Sequence, residues 1–374
     1  MPYSMNLGMM VSSNGSAAAS LHDDSKYVAH NLIMKFSVSM ALKAILRLGI
    51  PDILATAGGR KPLSALEILL QLPIKSGPPG SSSCSNLRRL LSPLVREGVF
   101  SESLNGEKQP VYGLTEISKW FVKDSLLNVT PIADLQLHKV LMRGSWEYLH
   151  ELILDESTVP FIKAKGLPLW EYCNTRNPEF GEIFETAMVS YSRGYNNSIA
   201  EDLQRCGVLD GVKTLVDLGG GRGTFLAEIV AHNPHIHGVN FDLPDVVERA
   251  PAINGVQHVA GNVFEAVPSG DAMLLKFIIH EYADKEAIKI LENCLKALPK
   301  NGKVILAEYV RNKQDSATRA FFIDTLDLIM LSHLKGARER NKEEYQSLLL
   351  AAGFPSSIVI WNPSSYDIIV GLKQ

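Results

Sequence analysis

The stretch Leu215-Val216-Asp217-Leu218-Gly219-Gly220-Gly221-Arg222-Gly223-Thr224 constrains the fold more than any other part of this chain. An apolar strand runs into three glycines at alternate positions, and a helical pattern begins near Phe225. The spacing decides how to read it. A dinucleotide fingerprint places its third glycine three residues after the second. Counting from Gly219 and Gly221, that position is Thr224, so the NAD template fails and the G-x-G-x-G variant remains. Such a loop is expected to bring backbone close to a ligand and to turn free N–H groups at the helix start towards an anionic group, carboxylate or phosphate. With an acidic residue ahead of it, this is the form expected around S-adenosylmethionine.

The sequence after Thr214 alternates between strand and helix. Strands are predicted at Thr214–Leu218, Gly238–Asp242, Ala272–Ile278 and Lys303–Tyr309, with helices at Phe225–His232, Asp245–Ala250 and Lys285–Ala297. This order implies an α/β fold, a doubly wound parallel sheet with ligands beyond the carboxyl ends of its strands. A last pair, Ser357–Trp361 and Tyr366–Gly371, reads as an antiparallel hairpin on the sheet edge, an ending common in methyltransferases and unusual for dinucleotide domains. Asp242 closes the second strand roughly twenty residues after the glycines, where an acid pairs with ribose hydroxyls. Gly261-Asn262-Val263-Phe264 follows the next apolar stretch, within reach of an adenine. Lys276 lies on the following strand.

The chain has 374 residues, enough for two domains. Residues 1–26 read as a disordered tail, 27–130 as a winged-helix dimerisation domain and 131–374 as the catalytic domain with substrate-binding helices. Val28–Leu48 is apolar and helical, with more apolar surface than one stripe needs, which points to burial on several sides, including between subunits. Helices at Ser64–Leu72 and Asn86–Val95, then a hairpin turning at Asn105-Gly106, give the winged-helix order. A metabolite-sensing DNA-binding protein is the rival reading, disfavoured by a net charge of −3 with Arg88-Arg89 as the one basic feature. The four cysteines have neither zinc nor C-x-x-C spacing, and no secretory signal, transit peptide or ~20-residue apolar span is visible. A cytoplasmic protein that binds neither membrane nor nucleic acid is expected.

The glycine loop, Phe241-Asp242-Leu243-Pro244, Gly261-Asn262-Val263-Phe264, Lys276 to His280, Gly336-Ala337-Arg338-Glu339-Arg340 and Ala352-Gly353-Phe354 together resemble the plant metal-independent small-molecule O-methyltransferases of the caffeic acid and flavonoid type. The resemblance covers essentially the whole chain past the tail. It implies a homodimer in which Gly219, Gly221, Asp242, Asn262, Val263, Lys276, Phe277 and Ser192 surround S-adenosylmethionine, with S-adenosylhomocysteine as product and no metal. The family usually has Asp at Asn262 and Trp at Phe277, so a weaker grip on adenine is expected here. An Asn carbonyl still accepts a hydrogen bond, without charge assistance.

Methyl transfer to a phenol needs the acceptor oxygen behind the methyl and its proton removed. A phenol with a pKa near ~10 is almost wholly protonated at neutral pH. His280, at the end of its strand, is the general base. Although His280-Glu281 begins H-E-x-x-H, residue 284 is Asp284, so the zinc motif fails. By resemblance Glu308 and Glu339 flank His280, fixing its tautomer and favouring the imidazolium. The resemblance also implies an acceptor pocket of Gln136, Phe180, Phe184, Met188, Tyr191, Ile329 and Met330, the two methionines holding the ring. Tyr191, Leu334, Gln136 and Cys173 stand where the caffeate enzymes carry His, Asn, Asn and His. That favours a less polar acceptor (a phenylpropanoid, flavonoid, stilbene or alkaloid phenol), with a caffeate-type lignin enzyme as the alternative and an NAD-dependent oxidoreductase as the reading from another class.

Overall fold

A computed structural model describes residues 15–56, 61–74, 77–125, 128–362 and 366–374. The chain divides into two compact units, Met1–Phe121 and Val122–Gln374. In the first, the apolar run Val28–Leu48 forms two helices, Gly15–Met34 and Phe36–Arg47, meeting at Lys35. The helix already begins at Gly15, within the segment expected to be a tail; residues 1–14 lie outside the described residues. Helices Ile50–Thr56, Ala65–Leu69 and Ser81–Arg96 pack with β1 (Leu63–Ser64), β2 (Phe100–Leu104) and β3 (Pro110–Leu114), which form an antiparallel sheet in the order β1-β3-β2. Ser64 starts the Ala65 helix with a capping box to Glu67. The core here is Ile45, Ile50, Leu54, Ile68, Leu91, Leu94, Phe100 and Tyr112. Leu32, Ile33 and Phe36 are left 73%, 75% and 62% exposed, an apolar face the single chain does not cover.

The second unit is built on a seven-stranded sheet. Its strands are β4 (Thr214–Leu218), β5 (His237–Asp242), β6 (Val256–Ala260), β7 (Ala272–Lys276), β8 (Lys303–Glu308), β9 (Ser356–Ile360) and β10 (Asp367–Leu372). Their order is β6-β5-β4-β7-β8-β10-β9. The first five in space run parallel; β10 lies antiparallel to β8 and β9 closes the edge, so the terminal hairpin sits where the sequence places it. The period-2 alternation of a sheet covered on both faces divides the core in two. Val216, Leu218, Met273, Leu275, Val304 and Leu306 face one side. Leu215, Ala272, Leu274, Ile305, Ile368 and Val370 face the other.

Two local differences from the sequence reading matter for the site. Val256–Ala260 is a full strand at the sheet edge, although its mixed sequence Val-Gln-His-Val-Ala hides the alternation. The strand expected over Ala272–Ile278 stops at Lys276, because Phe277 takes a left-handed φ of 57° and the chain turns into a single 3-10 turn, Ile279–Glu281. That turn lifts His280 out of the sheet.

Candidate active site

The glycine loop is shaped by what lies beneath it. A Cβ on Gly220 would stand 2.1 Å from Asn240 Oδ1 and 2.7 Å from Asp217 Oδ2, so no side chain fits there. Gly221, at φ 58°, has open space above it and adopts a conformation that L side chains rarely take. The expectation of free glycine N–H groups needs correction at the glycines themselves. Gly219 donates to Phe241 O (2.8 Å), Gly221 to Asp242 Oδ2 (2.8 Å) and Gly223 to Gly220 O (2.9 Å). All three amides find partners within the fold, and the one on Gly221 holds Asp242. Leu243 N donates to the other Asp242 oxygen at 2.7 Å. The carboxylate is thus fixed at the end of β5 with lone pairs left over, beside the open space at Gly221.

Lys276 ends β7 and donates to Ser192 Oγ on the long helix Pro178–Arg205 at 2.7 Å. It faces Asp217, which is 2% exposed. Burial pulls Lys276 down to about 8 against the attraction of Asp217, Glu228 and Glu308. Burial likewise pushes Asp217 up to about 7, opposed by Lys276 and assisted by Asp242. Glu185, on the same long helix, accepts from Arg222 of the glycine loop (2.7 Å) and from Arg249 (2.8 Å), tying that helix to the loop. Asn262 uses Oδ1 to accept from Phe264 N (3.0 Å), and Asn293 Nδ2 holds Val263 O (2.8 Å). Val263 packs on the opposite sheet face from Phe277, whose ring meets Tyr191, Tyr309, Tyr366 and His280.

Three carboxylates converge on His280. Its Nδ1 lies 2.8 Å from Glu339 Oε1 and 3.9 Å from Glu308 Oε2. A carboxylate accepts, so Nδ1 carries the proton and Nε2 of the neutral ring carries the lone pair. Glu308, at the end of β8 and wholly buried, accepts from the amides of Ile278 (3.2 Å) and Ile279 (2.9 Å) and thereby holds the turn that carries the histidine. Phe277 stacks on the imidazole with centroids 5.3 Å apart and 21° between planes. Burial disfavours the imidazolium, but Glu339, Glu308 and Glu281 outweigh it and push His280 up to about 10. Burial lifts Glu308 and Glu281 to about 7 in spite of His280.

One residue here was invisible to spacing arguments. Arg340, wholly buried, donates to Ile279 O (3.0 Å), Tyr282 O (2.7 Å) and Asp284 Oδ1 (2.7 Å), clamping both ends of the His280 turn.

Of the expected acceptor residues, Phe180, Phe184 and Met188 gather in one apolar cluster, together with Cys173 and Leu334. His138 stacks on Phe180 at 5.1 Å. Gln136 ends the helix Thr130–Gln136, which packs on the long helix. Tyr191 donates to Tyr309 (3.1 Å) and lies against Phe277, on the side of His280. Ile329 and Met330 are half-buried on the helix Ala317–His333.

Residues 146–355 match the O-methyltransferase domain family and residues 30–124 its dimerisation domain. The chain belongs to the O-methyltransferase family. Tricetin 3',4',5'-O-trimethyltransferase of Triticum aestivum is 36% identical over 343 residues, covering 91% of this chain and 94% of that protein. Caffeic acid 3-O-methyltransferase of Medicago sativa is 35% identical over 355 residues, 94% and 95% of the two chains. Among solved structures, human N-acetylserotonin methyltransferase in complex with SAM matches the fold with a TM-score of 0.77 at 20% identity, over 98% of this chain and 99% of that one. Family membership decides between the methyltransferase, oxidoreductase and DNA-binding readings. Among the described residues of this O-methyltransferase, no helix is long and apolar enough to cross a membrane.

Proposed function

We propose that this O-methyltransferase moves the methyl group of S-adenosylmethionine to a phenolic hydroxyl of a plant secondary metabolite, with His280 as general base. The observation that carries the reading is the Glu339-bound His280 on a turn fixed between β7 and β8, beside the strand ends that hold Asp242 and Lys276. The cofactor would supply a methyl on a sulfonium, from which the neutral thioether is a good leaving group. Asp242 would hold its ribose, and Gly219, Gly221, Ser192 and Lys276 its amino-acid end. Asn262 and Val263 would flank the adenine, and Phe277, on the other face of the sheet, would back the imidazole of His280 rather than the adenine. The acceptor would lie among Phe180, Phe184, Met188, Ile329 and Met330, with Gln136 and Tyr191 at its polar edge.

In the reaction the phenol proton passes to Nε2 as the oxygen attacks, and Glu339 and Glu308 stabilise the imidazolium that forms. Leu334 and Cys173, where the caffeate enzymes carry Asn and His, leave the pocket poorer in hydrogen-bond donors and acceptors, which fits a flavonoid or phenylpropanoid better than a free hydroxycinnamic acid. We also propose that the exposed face around Leu32, Ile33 and Phe36 is covered by a second copy of the chain, and that residues 27–130 serve that dimer while 131–374 carry the chemistry. The four cysteines form no disulfide, which supports a cytoplasmic setting. Thermal shift with S-adenosylhomocysteine and NAD side by side tests the cofactor; stabilisation by NAD alone overturns it.

The pH dependence follows from the sign of the histidine shift. A base held up to about 10 is protonated below that value and cannot accept, so kcat/KM for the acceptor rises with pH through the alkaline range. Removing the Glu339 charge in Glu339→Gln is expected to move that rising limb towards the ordinary histidine range. Its plateau should fall by about tenfold or more, because the ring loses its orienting acceptor. A limb at the same pH in both proteins would assign the ionisation to another group.

Asn262→Asp is expected to tighten cofactor binding by about threefold to tenfold, the gain of a charge-assisted over a neutral hydrogen bond. Calorimetric titration with S-adenosylhomocysteine measures it; an unchanged dissociation constant removes residue 262 from the adenine site.

A further inference from the structure

The glycine loop rests on two side chains that neither the family resemblance nor the proposed chemistry uses. Asn240, wholly buried on β5, donates through Nδ2 to Gly221 O at 2.9 Å, and the same nitrogen lies 3.1 Å from His258 Nδ1 on β6. The other ring nitrogen, Nε2, lies 2.9 Å from Pro251 O. A carbonyl only accepts, so Nε2 carries the proton and Nδ1 is the acceptor. His258 therefore takes one hydrogen of the Asn240 amide and aims the other at Gly221. The histidine is also in packing range of the loop itself: a Cβ on Gly223 would stand 3.2 Å from His258 Cε1.

We infer that His258 is a positioning residue for cofactor binding, acting through Asn240 on the carbonyl of Gly221, the residue whose N–H holds Asp242. An isolated amide in this place has two orientations. One presents N–H to the Gly221 carbonyl; the other presents oxygen to it and drives the loop out of shape. The Asn240 oxygen makes no hydrogen bond among the described residues, so nothing on that side selects the first orientation. His258 does. Gly221 N in turn donates to Asp242 Oδ2, so an error in the amide reaches the carboxylate proposed to bind ribose. The binding-competent fraction of the loop sets the apparent affinity, while the chemistry at His280 is left alone.

The inference rests on the cofactor reading above, and the test separates the two. His258→Phe keeps a ring beside Gly223 and loses the acceptor. His258→Asn puts an oxygen near the place of Nδ1 and keeps it. His258→Gln keeps a donor near the place of Nε2 but leaves carbon at Nδ1, and serves if the Phe variant folds poorly. The probe is S-adenosylhomocysteine by calorimetry, with amide hydrogen exchange at residues 219–224 of the free protein and kcat at saturating cofactor. His258→Phe and His258→Gln are expected to bind about tenfold more weakly, the loss tied to an unsatisfied buried donor. They should exchange faster across the loop with kcat little changed, and His258→Asn should fall within about threefold of wild type. Equal affinity and equal exchange in the Phe and Gln variants overturn the inference, as does a fall in kcat at unchanged affinity. A wild-type protein that does not bind S-adenosylhomocysteine sinks the cofactor reading instead, and the exchange comparison still decides the role of His258.

Discussion

Replacing His280 with alanine is expected to lower turnover by about two to four orders of magnitude, the range for a lost general base, and to leave cofactor affinity in place. The residue is 8% exposed, and its ring Nδ1 meets Glu339 and Glu308 rather than Asp242 or Lys276. Asp242 is held by the amides of Gly221 and Leu243, and Lys276 by Ser192, none of which the substitution touches. The loss should therefore fall on kcat, not on the dissociation constant of S-adenosylhomocysteine. It should persist across the neutral range, where the phenol is protonated and the lost imidazole is the group proposed to take its proton. Stopped-time product assays at several pH values, with calorimetry on the same preparation, check both halves.

Arg340→Leu should be the most destabilising single change around the site. The guanidinium bridges two backbone carbonyls, Ile279 O and Tyr282 O, and Asp284. Ile279 O keeps the amide of Tyr282 (3.3 Å) and Asp284 keeps Arg338 (3.0 Å), so the loss is the guanidinium donor of Tyr282 O in a buried turn and a weakened ion pair, about 2 kcal/mol or more together. Arg340→Lys keeps the charge but has no planar fork, so it recovers only part of the loss. Both variants should lower kcat as well as stability, by roughly tenfold or more, because the turn they loosen carries His280 and misplacement by about an ångström is felt strongly. Urea unfolding gives the stability change. If Arg340→Leu unfolds like wild type, or keeps its kcat, the clamp does not position the base.

The parts of the site legible in the sequence were those carried by short segments. The glycine spacing, Asp242 at a strand end and His280 after an apolar strand each follow from local pattern, because a strand end, a tight turn and a helix start are local events. Glu308 and Glu339 came only through the family resemblance, and the structure brings both to His280. Arg340, Asn240 and His258 stayed hidden for a physical reason. Arg340 and Asn240 act through hydrogen bonds to groups 18 to 61 residues away, and His258 acts through Asn240; nothing in neighbouring sequence marks such a partner. Phe277 shows the same limit differently. Its composition continues a strand, and only the left-handed φ of 57° reveals that the strand has ended.

The most direct test of the central proposal is methyl transfer by the purified protein, using methyl-labelled S-adenosylmethionine, a panel of flavonoid and phenylpropanoid phenols, and His280→Ala alongside. The wild type should release S-adenosylhomocysteine and place the label on a phenolic oxygen in equal amounts, while His280→Ala binds S-adenosylhomocysteine as tightly and forms almost no ether. Label transfer by His280→Ala at the wild-type rate, or a wild type that binds neither form of the cofactor, would contradict it.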